Sequence, residues 1–68
     1  MTEKDVIYFF RSHGAEIIEI HKEDVIRATG QIVQNFDVRY RGRVQTFQLR
    51  NGQLLWWNCK KWKMQVVI

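Results

Sequence analysis

Residues 35–57 read NFDVRYRGRVQTFQLRNGQLLWW, and two dipeptides inside this stretch decide the fold. Asn51–Gly52 separates two apolar runs. Asn-Gly is the strongest short hairpin signal, because a type I′ turn needs positive φ at both central residues. A two-residue turn there sets Leu49 opposite Leu54 and Phe47 opposite Trp56. Arg41–Gly42 makes a second such turn, which pairs Val38 with Gln45 and Phe36 with Phe47. Phe36, Val38, Phe47, Leu49, Leu54 and Trp56 then share the core face. Side chains alternate strictly along a strand, so Leu55 and Trp57 are assigned to the opposite face. Asp37, Arg39, Thr46, Gln48 and Arg50 accompany them there. The final segment, WKMQVVI, alternates again, which predicts Trp62, Met64, Val66 and Ile68 pointing inward after a turn at NCKK.

Working back toward the amino end, Thr2 and Asp5 stand at capping-box spacing. Val6, Phe9, Phe10 and His13 follow at helical spacing, with Ile7 widening the apolar face. Gly14 suits a left-handed C-cap, so a helix is predicted over about residues 3–13. From Ala15 the pattern changes to strands. EIIEIH is rich in β-branched residues, with Ile18 and Ile20 on one face. KEDV turns the chain into VIRAT, and Gly30 marks a bulge or break. Strands are expected at about 16–21, 25–34, 35–41, 44–50, 53–58 and 62–68, all within a single compact domain over residues 1–68. The fold class is α+β: an amino-terminal helix packed on one face of a four- to five-stranded antiparallel meander sheet. The alternative is a small SH3-like or OB-like barrel with an appended helix.

Composition narrows the function classes. The hydrophobic share of 46% and aromatic share of 13% argue against a disordered chain. Cys59 is the only cysteine, which excludes an intramolecular disulfide and a two-cysteine metal site. No apolar run approaches the ~20 residues of a membrane helix, and the amino end lacks a signal-peptide pattern. A soluble, cytoplasmic protein with no membrane role is expected. The formal charge of +4 conceals a sharp asymmetry. All seven acids lie in residues 1–37 beside four bases, for a net −3. Residues 38–68 carry seven bases and no acid, for a net +7. Such a split points to a polyanionic or acidic partner.

The candidate binding residues are Arg39, Arg41, Arg43, Arg50, Trp57, Lys60, Lys61 and Lys63. Cations neutralise phosphates and release counterions, and an exposed aromatic ring can stack on an unpaired base. RYRGR at 39–43 places three arginines and a tyrosine around a glycine turn. The expectation is a non-enzymatic nucleic-acid-binding module, for DNA or RNA, using a basic, Trp-containing sheet face and an Arg-rich hairpin. The alternative is a regulator, inhibitor or adaptor docking on an acidic protein, since Arg and Trp also anchor protein interfaces. Exposed sheet edges add homodimerisation by strand pairing. No nucleophile motif or phosphate loop is present, and no catalytic residue or cofactor is expected. Two histidines with scattered carboxylates fall short of a metal ligand set, so none is assigned. His13 is read as a helix C-terminal residue and His21 as an exposed strand end.

Overall fold

The computed structural model describes residues 1–57 and, as backbone, 62–64. Helix α1 spans Glu3–Ser12 and is followed by strands β1 (Glu16–Ile20), β2 (Asp24–Ile26), β3 (Gln31–Tyr40), β4 (Arg43–Arg50), β5 (Gln53–Trp57) and β6 (Trp62–Met64). The sheet is antiparallel and open, in the order β1-β3-β4-β5-β6, with β2 sharing the β1 edge of β3. This is the α+β arrangement expected from the sequence, and the sheet does not close into a barrel. Among the described residues no helix is long and apolar enough to cross a membrane.

Local chemistry accounts for each boundary. The capping box closes in both directions: Asp5 N–H donates to Thr2 Oγ1 at 3.4 Å, and Thr2 N–H donates to Asp5 Oδ2 at 2.9 Å. The Thr2 backbone N–H, and after it the Thr2 hydroxyl, favour the Asp5 carboxylate and hold its pKa below the ordinary value. At the other end, His13 caps the helix with its Nδ1 2.8 Å from the Phe9 carbonyl. Both hairpin turns have positive φ at both central residues: 54° and 77° at Arg41–Gly42, 52° and 75° at Asn51–Gly52. They produce the anticipated pairs Val38–Gln45, Phe36–Phe47, Phe47–Trp56 and Leu49–Leu54.

Three departures from the sequence reading are informative. The expected strands at 25–34 and 35–41 are instead a three-residue β2 and a ten-residue β3. The break falls at 27–30, where Gly30 N–H donates to the Ile26 carbonyl at 2.7 Å. The second departure is a bulge in β1. Ile17 pairs with Val38 but Glu19 pairs with Asp37, so Ile18 is an extra residue. Ile17, rather than Ile18, therefore packs on the core, and Ile18 is exposed. The third concerns β6. Trp57 opposes Trp62, Leu55 opposes Met64, and Trp56 opposes Lys63. An even four-residue connection reverses odd and even parity, so the expected alignment of Trp62 and Met64 with Trp56 is off by one. The predicted NCKK turn and inward Val66 and Ile68 lie outside the described residues.

The core lies between α1 and the sheet. Val6 and Phe10 pack with Phe36, Val38, Phe47 and Leu54, while Phe9, Ile17, Leu49 and Trp56 enclose them. The Phe10 ring sits 4.9 Å from that of Phe47. Gln34 is buried on this side, and its amide donates to Glu3 Oε1 at 2.7 Å and to the His21 carbonyl at 3.0 Å. One polar side chain thus ties the helix start and the end of β1 to β3.

Phe10 is 4% exposed whereas Tyr8, on the opposite side of α1, is 75% exposed. Phe10→Ala should cost about 3–5 kcal/mol, a large part of the stability of so small a domain. Tyr8→Ala should leave the urea midpoint within error, and equal midpoints for the two variants would show that α1 does not cover the core.

Candidate functional site

The β3–β4 hairpin end carries three of the candidate arginines, with Arg39 on the outer face and Arg43 on the opposite one. Tyr40 pairs with Arg43 and Arg39 with Val44, while Arg41 occupies the turn itself. All three arginines are exposed. The Arg41 guanidinium lies 5.2 Å from the centroid of the Tyr40 ring, within reach of a cation–π contact. Arg39 Nη1 donates to Glu16 Oε1 at 3.3 Å, but both side chains are more than half exposed. Such a pair is worth about 0–1 kcal/mol and leaves Arg39 able to exchange partners.

The remaining candidates do not join this cluster. Arg50 stands at the far end of β4, about 23 Å from Arg43 at ordinary strand rise. Its Nε and Nη2 groups donate to Gln48 Oε1. Trp57 is on the outer face, as its parity requires, and is 36% exposed. Lys63 takes the register position opposite Trp56. Lys60 and Lys61 lie outside the described residues.

The outer sheet face is neither wholly basic nor wholly solvated. Leu55 is only 9% exposed and Val33 8%, so this face has a buried floor of its own. Gln48, 5% exposed, donates to Asn35 Oδ1 at 2.9 Å and accepts from Arg50. Val33, Asn35, Gln48 and Arg50, with His21 and Asp24, line a groove of about 490 Å³. Its charges are mixed. β1 and β2 come from the acidic half and pair along β3, which places Glu16 opposite Arg39, Glu19 opposite Asp37 and Asp24 opposite Val33. Of these pairings Glu16–Arg39 joins the acidic segment to the basic one, and Val33 stands between Asp24 on one side and Arg50 on the other.

A compact polar cluster results. His21 Nε2 lies 2.9 Å from Asp37 Oδ2, and His21 Nδ1 lies 3.2 Å from Glu19 Oε2. The Thr46 hydroxyl donates to the other Asp37 oxygen at 3.2 Å. Glu19, Asp37 and Thr46 fall on three strands, and His21 just past the end of β1, with no local motif to connect them, and the bulge that aligns Glu19 with Asp37 leaves no sequence signal. Family models, curated proteins and solved structures were compared with the chain, and none matches.

The hydrogen bond to Asp37 raises the His21 pKa above the ordinary 6.5, outweighing desolvation, and both carboxylates add to the effect. A proton held more tightly in the folded state stabilises the fold. This contribution is complete below pH 6.5 and is lost as the pH rises through the higher folded value. Asp37→Asn should return the His21 ring titration, followed by NMR, toward 6.5 and flatten stability over that window. An unchanged titration would remove Asp37 as the cause.

Proposed function

We propose that the chain is a small non-enzymatic binding module that contacts nucleic acid through the β3–β4 tip. The observation that carries this reading is the grouping of exposed Arg39, Arg41 and Arg43 at one hairpin end. Guanidinium groups bind phosphate oxygens bidentately, and three at a narrow protruding turn match the charge density of a phosphate backbone. Tyr40 beside Arg41 adds an aromatic surface next to those charges. The sheet face plays a lesser part than the sequence suggested, because its acids offset its arginines.

A second reading draws on that same face. Protein interfaces mix signs and use aromatic and Arg anchors, and the outer face combines Glu16, Glu19 and Asp37 with Arg39, Arg50 and Trp57. A regulator or adaptor docking there on a protein partner would not depend on the hairpin arginines as a group.

Anisotropy titrations with a random single-stranded oligonucleotide separate the two readings. Arg41→Glu with Arg43→Glu should weaken binding and lower the log K against log salt slope by about 0.7 for each lost contact. Arg50→Glu should have little effect, since Arg50 lies at the opposite end of the strand. Wild-type affinity weaker than about 10⁻⁴ M at physiological salt would exclude nucleic acid as the partner.

A further inference from the structure

Glu19, His21 and Asp37 each direct one ligand atom into the same small volume, with all three atoms within 4.8 Å of one another. We propose that these residues form a binding site for a divalent transition-metal ion such as zinc. The donor set is one imidazole nitrogen and two carboxylate oxygens. Imidazole selects zinc and its neighbours over magnesium and calcium, and two carboxylates neutralise a divalent charge.

The backbone places these groups. Without the bulge at Ile18, Asp37 would face an isoleucine, and Glu19 would lie on the helix side of the sheet. Bulges re-aim side chains in this way beside functional sites. The extra residue sets Glu19 directly across from Asp37, and His21 follows on the same face, its N–H donating to the Asn35 carbonyl at 3.0 Å. Thr46 occupies Asp37 Oδ1 and so orients the carboxylate with Oδ2 toward the imidazole. Outer partners of this kind hold ligands in metal sites.

Formation of the site requires one exposed side chain to move: Glu19, whose Oε2 lies 3.2 Å from the other ring nitrogen, Nδ1. Ligand atoms around a tetrahedral zinc ion are roughly 3.4 Å apart, given bond lengths of about 2.1 Å. The His21 Nε2 to Asp37 Oδ2 distance of 2.9 Å is already close to this. The ion takes the place of the proton between those atoms, and Glu19, 62% exposed, swings in as the third ligand. A fourth position stays open to water. The neighbouring groove, which His21 also lines, gives the ion its path of entry. Bound metal would fasten the carboxyl end of β1 to the centre of the sheet.

The test is a titration of the full chain with zinc alone, monitored by the histidine ring resonances. His13, on the helix side of the molecule with its Nδ1 engaged by the Phe9 carbonyl, serves as the internal reference. His21 should shift or broaden at zinc concentrations that leave His13 unmoved, and magnesium should perturb neither. Asp37→Asn and the exposed Glu19→Gln should each weaken the His21 response by about tenfold or more, the scale of losses at metal sites. His13→Gln should leave it intact. A His21 ring indifferent to millimolar zinc, or equal zinc affinity in wild type and both carboxylate variants, would overturn the proposal.

Discussion

Strict alternation of side chains along a strand makes pairing register the constraint on which everything else in this molecule depends. A slip of one residue exchanges the two faces of a strand. Two glycine-containing turns with positive φ at both central residues fix β3 against β4 and β4 against β5. Once Phe47 lies between Phe36 and Trp56, the apolar surface for Val6 and Phe10 of the helix is complete. The same register sends Gln48, Leu55 and Trp57 to the other side. The adjacent tryptophans of β5 therefore do different work: Trp56 encloses the core and Trp57 contributes to the outer face.

At β1 the chain departs from regular alternation, and its chemistry changes with it. The bulge keeps Ile17 and Ile20 opposite core residues of β3 while turning Glu19 outward over Asp37. A bulge with acidic neighbours also disrupts the row of free backbone groups that would accept another strand. One extra residue thus serves both to protect an edge and to assemble the Glu19–His21–Asp37 cluster.

What the sequence disclosed was what is encoded locally. Thr2 and Asp5 announce the helix start, Gly14 its end, and Asn51–Gly52 a turn of known geometry. Each signal acts over a few residues, so no tertiary information is needed to read it. The bulge gave no such signal, because EIIEIH places isoleucines at positions compatible with either parity. The spatial distribution of charge was hidden for a related reason. Acids and bases are segregated along the chain, yet the sheet sets Glu16 opposite Arg39 and leaves Val33 alone between Asp24 and Arg50. Only the three arginines around Gly42 could be grouped in advance, because a two-residue turn keeps sequence neighbours together. The parity of β6 required counting across the 58–61 connection, which its own alternation does not reveal.

Cross-strand backbone NOEs test the register most directly. Contacts are expected between Glu19 and Asp37, between Ile17 and Val38, and between Phe47 and Trp56. Contacts linking Ile18 with Asp37 would mean a regular β1 with no bulge and would disperse the cluster. Contacts linking Phe47 with Trp57 would reverse the faces of β5 and contradict the account as a whole.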